Sequence, residues 1–178
     1  YTPYSRTWLA AFADDRDLKD YSVASFEKLV KLTAHNNPSL SDIGFTTSKI
    51  AVPQYNTSKQ IIDQYEKLRN TPSVAGTSKI GVHLRFGSVS IRKSVAKALQ
   101  STNQTFLKEL IWREFFMQIL WHFPHTENQS FKPQYDRIEW RNSPEDFQRW
   151  CDGETGYPFV DAGMKEMNLT GFMHNRVR

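Results

Sequence analysis

The sequence contains a single cysteine, Cys151, among its 178 residues. One thiol excludes a disulfide framework and a cysteine-rich metal site, and it favours a reducing compartment such as the cytoplasm. No apolar run approaches the ~20 residues that a membrane-spanning helix needs. No segment alternates between apolar and polar residues with a period of two, so the pattern predicts no β-strand. These absences favour an all-α protein that does not act in a membrane.

The composition is typical of a globular domain with a modest positive charge. Hydrophobic residues make up 39% of the chain and charged residues 24%. The net charge of +4 is compatible with a polyanionic partner, and it is equally compatible with ordinary surface composition. Five Trp and twelve Phe raise the aromatic content to 13%, which suits either an aromatic core or stacking on a planar cofactor.

Capping signals and helical periodicity predict most of the helices. The candidate N-caps are Thr2, Thr57 (in a capping box with Gln60), Ser90 and Ser143, and the candidate stop signals are Gly153 and Gly171. A further short helix is predicted around 25–33, followed by a long connection over 38–55. In the helix after Ser143, we expect Phe147 and Trp150 to face inward.

The longest predicted helix spans 106–123 and ends before Pro124. Its apolar stripe consists of Leu107, Leu110, Ile111, Phe115, Ile119 and Leu120. The other side carries Glu109, Trp112, Arg113 and Glu114. Two interpretations of that side stay open: Glu109 and Arg113 form an exposed i,i+4 salt bridge, or the side lines a functional site.

Residues 76–81, GTSKIG, place small residues, hydroxyls and one cation next to a predicted helix. This combination suits phosphate oxygens, although an ordinary surface turn has the same composition. Val82 and His83 stand where a nucleoside triphosphate loop requires Lys and Ser or Thr, and no predicted strand precedes the loop as in a dinucleotide-binding fold. His122 and His125 have no carboxylate to complete a ligand set, so no metal site is predicted.

Residues 153–178 predict a turn, a helix, a second turn and the start of another helix. Pro158 suits the first helical position and Gly171 ends that helix. The final residues, FMHNRVR, bring together an aromatic ring, an amide and two guanidinium groups. Such a sequence is unlike a frayed tail, and we interpret it as the first turn of a helix that continues in a longer protein.

Four motifs, in this order, resemble one family. They are residues 77–87 (TSKIGVHLRFG), 106–115 (FLKELIWREF), 153–163 (GETGYPFVDAG) and 171–178 (GFMHNRVR). Together they resemble the helical FAD-binding domain of the DNA photolyases and cryptochromes, specifically of the class I cyclobutane pyrimidine dimer photolyases. The resemblance is strong over 57–178 and weak over 1–9. It implies a helical lead-in segment with a connecting loop (1–56), followed by the N-terminal part of the FAD-binding domain (57–178), truncated at 178.

The resemblance implies light-driven DNA repair: excited reduced FAD donates an electron to a pyrimidine dimer flipped out of the duplex, the cyclobutane ring splits, and the electron returns. The implied flavin contacts are Tyr65, Thr77, Ser78, Lys79, Ile80, Gly81, Trp112, Arg113 and Arg178. The implied contacts to damaged DNA are Arg69, Glu109, Trp112, Asn175 and Arg176. Among them Glu109, Trp112 and Asn175 would serve the lesion, and Trp140 matches the surface end of the family's tryptophan electron-transfer chain.

The sequence departs from the family at several positions. Phe106 and Phe172 stand where relatives often carry Trp, and Lys79 replaces a common Arg, keeping the charge without the bidentate fork. The antenna chromophore would lie on an N-terminal domain that this chain lacks, and we expect the isolated chain to bind FAD weakly or not at all and to be inactive alone. Two alternatives stay open: a cryptochrome-type photoreceptor, and a cofactor-free helical scaffold. Glu109, Trp112 and the Asn175–Arg176 pair favour repair. No protein partner is predicted.

Overall fold

The computed structural model of the chain describes residues 1–21, 25–27, 29–30 and 36–178. Within this part it contains α-helices, two short 3₁₀-helices and no β-strand, which confirms the all-α prediction. The α-helices are α1 (Thr2–Ala11), α2 (Asp14–Asp17), α3 (Lys59–Leu68), α4 (Gly81–Arg85), α5 (Ile91–Leu99), α6 (Thr105–His122), α7 (Pro144–Asp152) and α8 (Pro158–Thr170). The 3₁₀-helices are Pro124–Glu127 and Pro133–Arg137. None of the helices described here is long and apolar enough to cross a bilayer.

The core lies where α3 and α5 pack against the first half of α6. Ile62 from α3, Ala98 from α5 and Leu107 and Ile111 from α6 are each at most 2% exposed. Burying a side chain of the size of Ile or Leu stabilises the fold by about 1.5–3 kcal/mol. Helix α1 lies against α6 and adds a partly buried aromatic layer to this core. Helix α1 therefore shares one core with α3, α5 and α6.

The apolar stripe of α6 is buried only along its first half. Leu107, Leu110 and Ile111 belong to the core, whereas Phe115 and Ile119 are half-buried. Leu120 is 54% exposed, so the predicted stripe is wrong for the last turns of the helix. The periodicity correctly identified a helix, but periodicity alone cannot say how far the packing partners extend along it.

The predicted N-caps are confirmed at Ser90 and Ser143, whose hydroxyls accept hydrogen bonds from the backbone N–H of Lys93 and Asp146. The capping box at Thr57 is wrong. The Thr57 hydroxyl accepts a hydrogen bond from Lys97 Nζ at 2.9 Å, and α3 begins two residues later. A buried hydroxyl next to a lysine gains more from the charge-assisted bond than from a cap.

Helix α1 begins one residue earlier than predicted, since Thr2 is its first helical residue and Tyr1 occupies the N-cap position without a side-chain cap bond. The helix predicted around 25–33 lies partly outside the described residues. Phe147 and Trp150 on α7 are 63% and 43% exposed, so the prediction that they face inward is wrong.

Helix α8 ends as predicted at Gly171, which adopts a left-handed conformation with φ +69°. Gly153 ends α7 in the same way, with φ +71°. Residues 172–174 have no regular secondary structure and 175–177 form a turn, so no helix begins directly after Gly171 as predicted. This turn packs close to α8, because a side chain added at Gly163 would lie 2.8 Å from Val177 Cγ2.

Candidate functional site

The clearest partly buried polar group joins the end of α3 to α6. Arg69, directly after α3, forms an ion pair with Glu109 on α6, and the two side chains are 26% and 36% exposed. This contact spans 40 residues of sequence and replaces the i,i+4 salt bridge between Glu109 and Arg113 that remained open from sequence. Arg69 Nε is buried and has no hydrogen-bond partner among the described atoms.

Tyr65 completes this group one turn before Arg69. The Arg69 guanidinium carbon lies 5.9 Å from the centroid of the Tyr65 ring, and Phe106 meets the same ring edge-on at 5.3 Å. Burial raises the pKa of the Tyr65 phenol, and the nearby Glu109 carboxylate raises it further. The phenol is therefore a neutral hydrogen-bond donor at physiological pH, next to one cation and one anion.

Trp112, one turn after Lys108 on α6, lies in an aromatic cluster. Tyr1 stacks on its ring at a centroid distance of 3.5 Å with an interplanar angle of 5°. Phe115 meets Trp112 edge-on at 5.5 Å, and Phe116 packs against it at 5.4 Å with an angle of 23°. Trp112 itself stays partly exposed. Part of a large, flat aromatic surface is thus held at the molecular surface on the same helix as Glu109.

The final turn of the chain is tied to the end of α3. Arg176 Nε donates a hydrogen bond to Asn70 Oδ1 at 2.8 Å, across 106 residues of sequence. Arg176 is also near enough to Tyr65 for its positive charge to lower the pKa of the phenol, which partly offsets the increase caused by burial. Asn175 is exposed, and its Oδ1 accepts a hydrogen bond from Arg178 at 2.8 Å. The structure therefore brings Tyr65, Arg69, Glu109 and Arg176 into one neighbourhood.

His174 anchors this turn from inside. It is 4% exposed, and its Nδ1 accepts a hydrogen bond from the backbone N–H of Arg176 at 3.1 Å. An accepting Nδ1 requires the proton of the neutral ring to be on Nε2. The turn that presents Asn175 and Arg176 is thereby fixed from below by a buried side chain.

The loop over 77–81 has a backbone conformation that its sequence does not reveal. Lys79 adopts a positive φ of +52°, which is uncommon for a residue other than glycine. Ile80 follows with φ −76° and ψ −11°. A left-handed residue followed by a right-handed one points successive N–H groups into one concavity, which is a common anion-binding arrangement. Uncommon backbone conformations of this kind occur often at ligand sites.

Two contacts fix this loop from behind. Ser78 is 6% exposed, and its carbonyl oxygen accepts a hydrogen bond from the Asn56 N–H at 2.8 Å. Gly76 packs directly on Leu68 of α3, because a Cβ at Gly76 would overlap Leu68 Cβ and lie 3.0 Å from the Leu68 carbonyl carbon and oxygen. Only a glycine lets the loop approach α3 this closely.

A cavity of about 480 Å³ lies in front of the same loop. Its walls are Lys79, Gly81 and Val82 on one side, the segment 170–173 on a second side and residues 48–53 on a third. Lys79 Nζ lies 5.0 Å from the centroid of the Phe172 ring, so this departure from the family pattern places a cation over a flat apolar face. A Cβ at Gly81 would meet no atom within 4 Å, which shows open space there.

Three predicted residues lie apart from these groups. Arg113 turns toward α4, where its Nη2 donates to the Leu84 carbonyl oxygen at 3.4 Å. Trp140 is 70% exposed, in the segment that leads into α7. Arg178 is exposed and contacts Asn175 rather than the loop. The structure therefore does not bring the predicted flavin contacts into one site: Lys79 and Gly81 line the cavity, Tyr65 lies beside Arg69, and Arg113 and Arg178 lie elsewhere.

Sequence reasoning missed two residues that shape the site. Tyr1 covers Trp112, and Asn70 holds Arg176. Neither carries a local signal, because each acts through a partner more than 100 positions away. The only available hint for Tyr1 was the high aromatic content of α1 and α6, which favours ring–ring packing without identifying the pairs.

The comparisons with known proteins agree on one family. Residues 106–178 match a family model described as the FAD binding domain of DNA photolyase. The chain is 37% identical over 163 residues to a deoxyribodipyrimidine photo-lyase of Halobacterium salinarum, and the match covers 79% of this chain and 34% of that protein. It is 32% identical over an alignment of 201 positions to a deoxyribodipyrimidine photo-lyase of Vibrio cholerae, covering 100% of this chain and 42% of that protein.

Two solved structures resemble the fold. A bacterial class III photolyase from Agrobacterium tumefaciens superposes with a TM-score of 0.59 and 34% identity, covering 66% of this chain and 26% of the other. An archaeal photolyase from Sulfolobus tokodaii, crystallised with two FAD molecules, superposes with a TM-score of 0.59 and 35% identity. That match covers 62% of this chain and 25% of the other. The chain thus spans well under half the length of the proteins it matches.

Proposed function

Because the chain is a partial-length member of the DNA photolyase family, we propose that it forms part of an enzyme that splits cyclobutane pyrimidine dimers in DNA under light. The observation that carries this proposal is the Arg69–Glu109 ion pair, with Tyr65 and Arg176 beside it and Trp112 one turn further along α6. A cation, a carboxylate and a flat aromatic ring at the surface match the phosphate, polar base edges and stacked rings of a nucleotide.

The residues around the loop fit the phosphate end of FAD. The Lys79 ammonium, the backbone N–H groups of Lys79 and Gly81 and the open space at Gly81 would receive phosphate oxygens at one edge of a cavity that is otherwise lined mostly by apolar residues. Thr77 would add a hydroxyl, whereas the buried Ser78 hydroxyl accepts a hydrogen bond from the Ile80 N–H at 3.5 Å and would support the loop from within. We assign Tyr65, Trp112, Arg113 and Arg178 to the flavin on the family resemblance alone. When bound, reduced FAD would supply the electron that light drives onto the dimer.

The DNA contacts divide by chemistry. Arg69 and Arg176 would neutralise backbone phosphates, and Asn175 and Glu109 would hydrogen-bond the polar edge of the flipped lesion. Trp112 would pack against its rings, which is a common way to hold a base outside the duplex. The ion pair with Arg69 holds the Glu109 carboxylate in one position, from which it would accept hydrogen bonds from the lesion. Trp140, exposed before α7, would pass electrons between the surface and the flavin.

Action on DNA and a reducing environment for Cys151 suit a cytoplasmic protein. A light-harvesting antenna chromophore and membership of class I within the family stay predictions from the resemblance.

The experiment is light-dependent repair by the natural protein. We expect an oligonucleotide that contains a thymine dimer to lose the dimer under blue light when the flavin is reduced, and to keep it in the dark. A protein that binds reduced FAD and damaged DNA yet leaves the dimer intact under light would refute repair and favour the cryptochrome-type photoreceptor. If the 178-residue chain alone folds but binds no FAD, the helical scaffold would be favoured for this chain.

A further inference from the structure

We propose that Tyr1 is a positioning residue, which holds the Trp112 ring in the orientation in which it receives the lesion. This inference rests on the proposed role of Trp112 in lesion binding. It starts from the tightest aromatic contact in the described structure: the two rings lie 3.5 Å apart and within 5° of parallel.

Tyr1 is itself fixed at two points. Its backbone forms the N-cap position of α1, where its carbonyl oxygen accepts a hydrogen bond from the Ser5 N–H at 2.9 Å. Its hydroxyl donates to the Lys108 carbonyl oxygen at 3.0 Å, one helical turn before Trp112 on α6. A ring held at both ends cannot rotate away, so it imposes one orientation on the indole stacked against it.

Trp112 needs such a support. The χ2 torsion of an aromatic side chain has broad energy wells, so a partly exposed indole samples several orientations unless neighbours select one. Phe115 and Phe116 come from the same helix and contact the ring at 5.4–5.5 Å. Among the residues that the structure describes, only Tyr1 brings a parallel ring contact from another element. Stacking on an indole that is already oriented costs a ligand less conformational entropy.

Tyr1 also lies in the electrostatic field of Glu109, a second residue that we assign to the lesion. Burial raises the pKa of the Tyr1 phenol, and the Glu109 carboxylate raises it further. The hydroxyl is consequently protonated and keeps donating to Lys108. One side chain thereby supports the Trp112 ring and lies in the field of Glu109, which no local sequence motif indicates.

Tyr4 provides a matched control on the same helix. It is also a partly buried tyrosine of α1, but it packs on Phe115 at 5.3 Å with an angle of 60° and has no ring contact with Trp112. Removing the Tyr4 ring disturbs the α1–α6 packing to a similar extent without touching the indole. Tyr1→Phe keeps the stacked ring and loses only the hydroxyl.

The test compares the natural protein, loaded with FAD, with its Tyr1→Leu, Tyr1→Phe and Tyr4→Leu variants. The probes are oligothymidylate irradiated to form dimers and the same strand without irradiation. Binding affinity for both strands, dimer loss under light and the near-ultraviolet circular dichroism of the aromatic residues are measured, with the thermal midpoint as a folding check. Tyr1→Met replaces Tyr1→Leu should that variant not fold.

We expect Tyr1→Leu to bind the irradiated strand about 2- to 10-fold more weakly, because the loss of one stacked ring pair has an effect of this size. Its affinity for the unirradiated strand should not change. Its aromatic dichroism changes, Tyr1→Phe restores binding and most of the signal, and Tyr4→Leu binds like the wild type. Unchanged binding by Tyr1→Leu despite an altered dichroism would overturn the proposal. Tighter binding would overturn it too, because Tyr1 would then compete with the lesion for Trp112.

The two levels of inference fail differently. If the wild type and Tyr1→Leu repair dimers equally well, the role of Tyr1 is refuted and the proposed function is not. A wild-type protein with no preference for the irradiated strand refutes the proposed function, and the role of Tyr1 falls with it.

Discussion

The sharpest test of the loop geometry is the replacement of Gly76 by alanine. At a position where alanine fits, Gly→Ala stabilises a protein by about 0.4–1 kcal/mol, because it restricts the unfolded chain. Gly76 does not have a positive φ, so its backbone conformation permits alanine. The new Cβ, however, would overlap Leu68 Cβ and lie 3.0 Å from two backbone atoms of Leu68, which cannot swing aside as the end of a flexible side chain can.

Overpacking of this kind costs about 1–3 kcal/mol, which exceeds the entropic gain and reverses the sign of the effect. With a urea dependence of about 2 kcal/mol per molar, a net loss of about 1 kcal/mol lowers the urea midpoint by about 0.5 M. Equilibrium urea unfolding followed by far-ultraviolet circular dichroism measures this shift.

Gly81→Ala is the matched control in the same loop. Its Cβ meets no atom within 4 Å, and its position at the start of α4 favours alanine, so the variant should be as stable as the wild type or more stable. A Gly76→Ala protein whose urea midpoint equals or exceeds that of the wild type would refute the close packing of the loop on α3. Equal destabilisation by both variants would refute the contrast between packed and open space.

Three further predictions concern α6, the helix caps and Tyr65. Ile111→Ala should cost about 2–5 kcal/mol of unfolding free energy in urea, whereas Leu120→Ala, at a half-exposed position, should cost well under half of that; similar costs would contradict the one-sided burial of α6. Ser90→Ala should cost about 1 kcal/mol by the loss of its cap, and Ser58→Ala less than about 0.5 kcal/mol, measured by thermal unfolding; the reverse order would contradict the observed caps. The folded-state pKa of Tyr65 is raised above 10.0, so its contribution to the free energy of unfolding should be lost as the pH rises through that pKa. The Tyr65→Phe variant should therefore lose less unfolding free energy than the wild type between about pH 9 and about pH 11. Identical pH profiles of the two proteins would contradict the burial of the phenol.

Much of the fold could be predicted from the sequence because its signals are local. Helices α3, α5, α6 and α8 were identified from periodicity, proline and glycine within a few residues of their ends. The errors arose where tertiary contacts decide. Thr57 has the sequence of a cap, but Lys97, 40 positions away, takes its hydroxyl.

The sequence indicated which residues belong to the candidate site, but it did not indicate which of them contact one another. The family resemblance drew attention to Arg69 and Glu109, whereas their pairing followed only from the packing of α3 on α6. The positive φ of Lys79 could not be expected, because lysine rarely adopts it. Phe147 and Trp150 were assigned to an inner face because large aromatic residues usually are buried, although a periodicity cannot determine which side of a helix has a partner.

The central claim is that the group around Arg69 and Glu109 serves the lesion in a light-driven repair enzyme. The most direct measurement is the rate of dimer loss under blue light by the natural protein with reduced FAD, compared between the wild type, Glu109→Gln and Glu114→Gln. Glu114 is the matched control, because it lies on the same helix and its carboxylate accepts a hydrogen bond from Gln118 rather than pairing with Arg69. We predict that Glu109→Gln slows repair about tenfold or more, the value of a hydrogen bond to a charged group, while Glu114→Gln repairs at the wild-type rate. Equal rates for Glu109→Gln and the wild type would contradict the account.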